Sequence, residues 1–201
     1  MKRDSPLNLY IMQMKEIKHR LDVIDYFLSE RDHALYKPTT VESMCLQIRH
    51  VLELIAFASL CANQAAYSAI HKDFASHWNA ELLLRDIARL NPEFYPVPKL
   101  ELPSSTLGVK NHLEDLKDGF LTKEDFVVAY KKCGAMMHAR NPYGSKIGHH
   151  YFEKAIPVWR DKIISLLNNH SVKVHGHPGF WLIHMHEERD NEVHGYEFVP
   201  K

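Results

Sequence analysis

Several patterns that would indicate a function directly are missing from this chain of 201 residues. It has only three cysteines, Cys45, Cys61 and Cys133, which are far apart and form no CxxC pair. This spacing argues against a disulfide framework or a structural zinc site and favours a reducing compartment. No GxGxxG motif, Walker-type phosphate loop or GxSxG elbow occurs. Nucleotide binding by a glycine-rich loop and hydrolysis by an activated serine are therefore not supported.

An excess of charge of one sign is also missing. The 25 lysines and arginines balance the 25 aspartates and glutamates, so the formal net charge is zero with neutral histidines. The chain has no overall basic field that would attract nucleic acid, and any RNA contact would depend on a local patch. The 15 histidines are numerous. They would add positive charge only below about pH 6.5, the unperturbed pKa of imidazole.

No hydrophobic run reaches the length of a membrane span. The longest, Val51–Ala62, contains Glu53 and is too short to cross a bilayer. No apolar segment with a small-residue cleavage site follows Met1–Pro6, so we expect no signal peptide. Hydrophobic residues make up 45% of the chain, and its length fits one domain or one domain with an appendage. We expect a soluble cytoplasmic protein.

Apolar residues recur at helical spacing in the first two predicted helices. The first helix begins at Ser5-Pro6, and the second begins at Thr39, with Glu42 at capping-box spacing. Nearly every residue of Val51–Ala62 is apolar or small, so we expect the second helix to be the central, buried one. The apolar stripe of the first helix consists of Ile17, Leu21, Ile24 and Leu28.

Three further helices are predicted from caps and periodicity. The third is capped by Ser76 and ends at Leu90, and the fourth begins at Thr122 with Asp125 at the boxed position. The fifth covers Tyr151–Asn169, and its Pro157 should kink it or mark its true first turn. The buried side of the third helix should consist of Trp78, Leu82, Leu83, Ile87 and Leu90.

Prolines and then strand-like alternation interrupt this helical pattern. The proline-rich passage 92–103 favours an extended loop, pinned on the bundle by Phe94 and Tyr95 or used for recognition. After Asn169 the period changes to that of strands. The predicted strands are Val172–His175, Phe180–His186 and Val193–Val199, with turns at Gly176–Gly179 and Glu187–Glu192. We therefore expect a mainly α fold: a bundle of about five helices over 1–169, with a C-terminal antiparallel β-meander over 170–201 in the same domain.

A candidate site lies at the end of the fourth helix, in the stretch Tyr130–Gly144. His138, Arg140 and Asn141 occur there together, and His149-His150 opens the next helix. On a regular helix His138 and Arg140 would diverge by about 200°, so they converge only if the helix unwinds before Pro142. Arginine binds phosphate oxygens as a fork, and histidine exchanges a proton near neutral pH, which suits phosphodiester recognition. Alternatively, His138 and Arg140 only satisfy carbonyls at the helix end.

Two further details belong to this candidate site. Arg49 and Glu53 stand one turn apart on the second helix, so they form either an ion pair at its rim or a pair that orients the site. Cys133 lies five residues before His138. We expect Cys133 to pack in the core rather than to act as a nucleophile, because it lies on the buried stripe of its helix.

The helical part of the chain, about residues 7–169, resembles the HEPN group of small helical domains. That group includes abortive-infection proteins, toxin halves and RNases of bacterial defence systems. Its signature is an arginine, usually followed by a polar residue, and a histidine four to six residues later. Arg140-Asn141 looks like the first half, although eight residues separate Arg140 from His149. Lys132 and His138 have five residues between them, with lysine in the place of arginine.

The resemblance implies a homodimeric, metal-independent RNase without cofactors. A histidine would act as acid or base, and an arginine would hold the scissile phosphate. We assign catalysis to Arg140, His138, Asn141 and His149. We assign substrate binding to Arg49, Glu53, Lys132 and Tyr143. A non-catalytic relative that binds RNA or nucleotides fits the same pattern.

The meander carries a second group of histidines. His184 and His186 alternate and should share one strand face, while His175, His177 and His194 lie nearby. Imidazoles on one face could bind zinc, copper or nickel. We expect instead a polar solvent face and no tightly bound metal, because no cysteine or DxH pattern completes a ligand set.

Three functions follow from these patterns. The first is a HEPN-like domain that binds or cleaves RNA, in bacterial defence or a toxin system. The second is a non-enzymatic helical interaction module whose meander docks a protein partner by strand addition to an exposed edge. The third is a metal-dependent hydrolase that uses the C-terminal histidines.

Overall fold

A computed structural model describes residues 4–29, 34–71, 79–106, 108–109, 111–139, 143 and 148–200. Within these residues the chain forms five helices and a five-stranded antiparallel sheet, which confirms the mainly α class with a C-terminal meander. The helices are α1 (Pro6–Leu28), α2 (Lys37–Ile70), α3 (Ala80–Leu90), α4 (Lys123–Met136) and α5 (His149–Leu167). The strands are β1 (Val97–Pro103), β2 (Asn111–Asp115), β3 (Asn169–Lys173), β4 (Phe180–His184) and β5 (His194–Phe198).

Two of the predicted helix starts are confirmed by their caps. The Ser5 hydroxyl accepts from the backbone N–H of Asn8 at 3.2 Å, with Pro6 in the first turn of α1. At the start of α4, Thr122 and Asp125 form the predicted capping box. Each of these caps satisfies backbone donors that the first turn of a helix leaves without a partner.

The starts of α2 and α3 differ from prediction. Helix α2 begins at Lys37, so Thr39 lies inside its first turn and donates to the carbonyl of Tyr36. The earlier start is explained by Pro38, because proline is favoured in a first turn. Helix α3 is capped by Asn79, whose side chain accepts from Leu82 N, and the predicted cap Ser76 and Trp78 lie outside the described residues.

Helix α2 is the central helix, as predicted, and packs against each of the other four. Its residues Val51, Leu52, Ile55 and Ala56 are buried, and a fully buried valine, leucine or isoleucine side chain contributes about 1.5–3 kcal/mol to stability. Leu82 of α3 is 45% exposed, so its predicted burial is wrong. Helix α5 runs through Pro157 and begins at His149, so Pro157 does not mark the first turn.

The sheet contains two more strands than the predicted meander, in the order β2-β1-β3-β4-β5. Strands β1 and β2 come from the proline-rich passage and the residues after it, so the predicted loop is wrong over Val97–Pro103. The prolines are tolerated because they lie at strand ends. Pro98 lies one residue beyond the last pair of the β1–β2 ladder and accepts there from Leu116 N, so its missing donor disrupts little of this ladder.

Three meander strands form, as predicted, but with shifted ends: β3 contains only Val172 and Lys173 of the predicted Val172–His175, and β4 ends at His184 instead of His186. One face of this sheet packs on the helices, with His170, Val172, Trp181 and Ile183 buried. Gly195 of β5 allows α1 to approach, because a Cβ there would lie 2.9 Å from Ile11 Cδ1. The first predicted strand began too late: β3 starts at Asn169, immediately after the last turn of α5.

Candidate functional site

A polar cluster lies between α2 and α4, in a region that is otherwise apolar. Arg49 Nε lies 3.2 Å from Glu53 Oε1, and these side chains are only 20% and 17% exposed. The ion pair expected from their one-turn spacing is therefore confirmed. His50 Nδ1 lies 3.4 Å from the other oxygen of Glu53. The carboxylate of Glu53 is thus bracketed by two basic groups on its own helix.

Tyr130 of α4 completes this group, which we call the Arg49–Tyr130 cluster (Arg49, His50, Glu53 and Tyr130). The guanidinium carbon of Arg49 lies 4.0 Å from the Tyr130 ring centroid. Arg49 Nη2 donates to Tyr130 Oη at 2.8 Å, and Tyr130 Oη donates to Glu53 Oε1 at 3.3 Å. The pKa of Tyr130 is raised, above all by burial, so its hydroxyl remains a donor at neutral pH. Arg49 is thus held both by cation–π contact and by hydrogen bonds.

The cluster fixes the C-terminal half of α4. Arg49 Nη1 donates to the carbonyl of Tyr130 at 3.4 Å. A Cβ on Gly134 would lie 2.4 Å from the same nitrogen, so glycine is what lets the guanidinium approach the helix. Next to it, Cys45 and Cys133 are buried and free. The Cys45 hydrogen bond and burial raise the pKa of Cys133, which fits core packing rather than a nucleophile.

Tyr130 was missed as a site residue because the sequence placed it on the apolar stripe of its helix. A buried tyrosine hydroxyl needs a hydrogen-bond partner, and that requirement was the available signal. The sequence could not show that the partners are Arg49 and Glu53, which lie 81 and 77 positions away along the chain.

The predicted catalytic residues flank the segment between α4 and α5. Helix α4 ends at Met136, and His138 is exposed just beyond it. His149 is the first residue of α5 and is half-buried, and Tyr143 is 96% exposed. Arg140 and Asn141 lie outside the described residues. The structure therefore brings Arg49 and Glu53 together, and it places His138 and His149 at the two ends of the segment that contains Arg140.

Near the two ends of this segment, one side-chain contact connects α4 and α5. Lys132 Nζ of α4 lies 5.4 Å from the ring centroid of Tyr151 in α5. At the opposite ends of the two helices, Lys162 Nζ lies 2.7 Å from Asp125 Oδ2. These two contacts show that α4 and α5 run antiparallel. We call the end with Lys132, His138, His149 and Tyr151 the α4–α5 junction.

Carboxylates near the α4–α5 junction are paired. Glu81 lies 2.8 Å from Lys131, and Glu153 lies 2.6 Å from Lys37 and 3.3 Å from His150. The pKa of Glu153 is lowered, and the largest cause is the hydrogen bond that it accepts from Lys37. These carboxylates therefore have partners other than Lys132, whose positive charge remains at the junction.

The meander histidines are engaged with acidic and amide groups. His184 Nε2 lies 2.8 Å from Glu101 Oε1, but out of line for a hydrogen bond. His194 lies 3.0 Å from Asp190, and His186 contacts Asn191 at 2.6 Å. Strand β4 ends at His184, so His186 does not share a strand face with it as predicted. Among the described residues no group of three or more His, Cys, Asp or Glu could hold a metal ion.

His170 was not singled out from the sequence, yet it is fully buried at the start of β3. Its Nδ1 lies 2.7 Å from the carbonyl of Leu167 and must carry the proton there, while its Nε2 lies 2.8 Å from Tyr10 Oη. Burial lowers the pKa of His170 to about 4. The imidazole is therefore neutral at physiological pH.

Comparisons with protein-family models, with curated proteins and with solved structures find no match for this chain. Among the described helices, α2 alone is long and apolar enough to span a membrane by length and composition. Half of the most apolar 18-residue stretch of α2 is buried inside the fold, and the core helices of soluble proteins have the same length and composition. The cytoplasmic location stays a prediction.

Proposed function

We propose that this protein binds RNA at the α4–α5 junction and cleaves it there without a metal ion. The observation that carries the proposal is the Arg49–Tyr130 cluster, which anchors α4 at Tyr130 and against Gly134, about two turns and one turn before the exposed His138. An anchored helix end can hold the imidazole of His138 in a fixed relation to a bound phosphate, and Arg140 and Asn141 follow it in the sequence. The resemblance to HEPN domains adds the expectation of a role in bacterial defence or a toxin system.

The proposed cleavage uses the 2′-hydroxyl of the RNA. Its oxygen attacks the adjacent phosphorus and gives up its proton to an imidazole, which we assign to His138. The bond from phosphorus to the 5′-oxygen breaks, and that oxygen takes a proton from His149. The products are a 2′,3′-cyclic phosphate and a free 5′-hydroxyl. Arg140 would hold the phosphate oxygens as a fork, and Asn141 would add a donor.

Arg49 and Glu53 have a different part in this proposal from the one first assigned. The guanidinium of Arg49 is engaged with Tyr130 and Glu53, so it has little capacity left for a phosphate. We therefore propose that these two residues position α4 and do not touch the substrate. Lys132 and Tyr143 keep their proposed role as substrate contacts, because lysine attracts phosphate and an exposed tyrosine ring can stack on a base.

The test is digestion of varied single-stranded RNAs in the presence of a chelator, with cyclic-phosphate ends sought on the products. His138→Ala should lower the rate by about a hundredfold or more, and Arg140→Ala should abolish cleavage. His175→Ala and Arg89→Ala are matched controls at exposed positions elsewhere. Cleavage that survives both junction variants would place the chemistry elsewhere. A wild-type protein that neither cleaves nor binds any RNA would overturn the proposal.

A second candidate, the protein-interaction module, is favoured by one observation at the sheet edge. Strand β5 pairs only with β4 among the described strands, and it carries the exposed aromatic residues Tyr196 and Phe198. The other edge, β2, has Glu114 and Asp115, charges of the kind that keep edge strands from pairing. The β5 edge is therefore the better surface for strand addition by a partner.

This second candidate predicts proximity between a partner chain and β5. A photo-crosslinking amino acid placed at Val199, which is 61% exposed, should capture a partner chain in cells. The same amino acid at Val128, which is 48% exposed on α4, is the control and should not. Equal capture at both positions, or none at Val199, would contradict a role for the β5 edge.

A further inference from the structure

Strand β5 directs part of its backbone outward at the edge of the sheet. Met185 N donates to the carbonyl of Asn168 at 2.9 Å, one step beyond the β3–β4 ladder. Hydrogen-bonded and non-hydrogen-bonded pairs alternate along an antiparallel ladder. The even-numbered residues of β4 and β5 therefore direct their backbone groups toward each other. The N–H and C=O groups of Gly195 and Glu197, which alternate with them, point outward.

The side chains on one face of β5 are aromatic. His194, Tyr196 and Phe198 occupy every second position, so they share the face of the sheet that is turned away from the helices. Tyr196 and Phe198 are 37% and 45% exposed. The strand contains neither lysine nor proline, the residues that commonly protect an exposed edge from pairing. Both the backbone and the side chains of β5 therefore suit the addition of a further strand.

The sequence of β5 is complementary to itself when two copies run antiparallel about a twofold axis at Tyr196. In this register Tyr196 faces its own copy, and Phe198 faces the partner's His194, so aromatic rings meet on one face. Gly195 faces the partner's Glu197. These two residues form a hydrogen-bonded pair, because the backbone groups of both point outward.

The charge of Glu197 selects this register. Its carboxylate lies against its own sheet, since Trp181 Nε1 donates to Oε1 at 3.3 Å and His177 Nε2 lies 3.4 Å from the same oxygen. Opposite Glu197 the second copy presents a glycine, which has no side chain to collide with it. A twofold axis at Glu197 would instead place two carboxylates directly opposite each other, which is destabilising.

We propose that β5 pairs with β5 of a second copy of this chain, antiparallel about a twofold axis at Tyr196, so that the two sheets become one. This inference rests on the second candidate function, for which it names the partner chain. The contact uses one strand of five residues on each side. Such a contact is small, so we expect it to form well above micromolar concentration. It involves no residue assigned to cleavage or RNA binding.

The first test is disulfide trapping by oxidised glutathione at high protein concentration, followed by mass analysis without reductant. In Tyr196→Cys the two thiols face each other with Cα atoms about 4.5 Å apart, a distance that a disulfide spans. This variant should therefore give several-fold more linked dimer than Phe198→Cys, whose two copies lie about 13 Å apart along the strands. The wild type, with its three native cysteines, is the second control.

A mixture of two variants tests the register without a change at Tyr196. Phe198→Cys and His194→Cys should each remain unlinked when alone and should form a mixed disulfide when combined, because these positions face each other in the proposed register. Equal linking of Tyr196→Cys and Phe198→Cys would overturn the proposal. So would the absence of linking both in Tyr196→Cys and in the mixture.

A proline tests the role of the outward backbone. In the Tyr196→Cys protein, Glu197→Pro removes an N–H that points away from β4, so the β4–β5 ladder keeps its donors and trapping should fall several-fold. Glu197→Ala keeps this N–H and is the matched control, which should be trapped as before. Undiminished trapping of the proline variant, shown to be folded by circular dichroism, would overturn the proposed strand pairing.

The photo-crosslinking amino acid at Val199 separates this inference from the second candidate function. A captured chain with the mass of this protein supports the second copy. Capture of a chain of different mass, without trapping of Tyr196→Cys, would overturn the second copy and leave the β5 edge as a docking surface. If neither capture nor trapping occurs, both the second copy and the role of the β5 edge are overturned.

Discussion

Replacing His170 with glutamine should remove most of the pH dependence of stability that this one group imposes below neutral pH. In the wild-type protein the imidazole is fully buried and neutral, since its Nδ1–H donates to Leu167 and its Nε2 accepts from Tyr10 Oη. Protonation at Nε2 would change this nitrogen from an acceptor to a donor, so the buried Tyr10 hydroxyl would have to turn its hydrogen away and lose this acceptor. Burial alone already disfavours the cation.

The magnitude follows from the two pKa values. The pKa of His170 is about 4 in the fold and 6.5 in an exposed chain. Between these values the unfolded chain binds a proton that the folded chain does not, so stability falls as the pH is lowered from about 6.5 to about 4. Above about 6.5 and below about 4 this group adds no pH dependence. The difference of about 2.5 units corresponds to about 3 kcal/mol at most, at 1.36 kcal/mol per unit.

The assay is urea unfolding at pH 7, 6, 5 and 4, with wild type, His170→Gln and the exposed control His175→Gln measured side by side. Protonation of acidic groups with a lowered pKa, such as Glu153 and Glu187, also destabilises the protein as the pH falls. This contribution is the same in all three proteins and cancels in the comparison. The wild-type curve minus the His170→Gln curve should therefore change by about 3 kcal/mol between pH 7 and pH 4. Parallel curves for these two proteins, or a His170 imidazole resonance that titrates near pH 6.5, would refute the reasoning.

Three further predictions concern other parts of the molecule. Tyr130→Phe keeps the ring under Arg49 but removes the hydroxyl, so unfolding should become easier by about 1–3 kcal/mol, and an unchanged urea midpoint would contradict the cluster. A homodimer through the outward side of α2 should appear in light scattering at micromolar concentration, and Leu46→Lys, at a position 38% exposed, should shift it to monomer. Elemental analysis of untagged, chelator-washed protein should find no tightly bound metal in the meander, and about one equivalent of zinc or nickel would overturn that expectation.

Local chemistry explains which parts of the fold could be predicted from the sequence. The Thr122–Asp125 capping box and the Ser5 cap depend on residues three positions apart, and such contacts can be inferred from spacing alone. The Arg49–Glu53 ion pair is predictable for the same reason. The meander strands show their alternation directly, because one face is buried against the helices and the residues of the other face, except Leu182, are more exposed.

The parts that could not be predicted depend on distant partners. Strand β1 pairs with β3 through Val97 and Ser171, which lie more than seventy positions apart, and its prolines hide the strand pattern. His170 looks like any other polar residue until α1 packs on the sheet and brings Tyr10 to it. The α2 start at Lys37 differs from the predicted start at Thr39 for a local reason, since Pro38 is favoured in the first turn of a helix.

The Arg49–Tyr130 cluster is the feature that most directly connects the fold to a function. Removing an arginine and a glutamate from water is costly, and a well-packed apolar pair of similar volume often gives equal or greater stability. The cluster therefore has little advantage as a source of stability alone. Its geometry is specific, however, because Arg49 approaches α4 at Gly134, where a Cβ would collide with the guanidinium, and stacks on Tyr130 beside it. Such a contact determines the position of α4 along α2, and hence where His138 lies, which is the property that a phosphodiester site at the helix end requires.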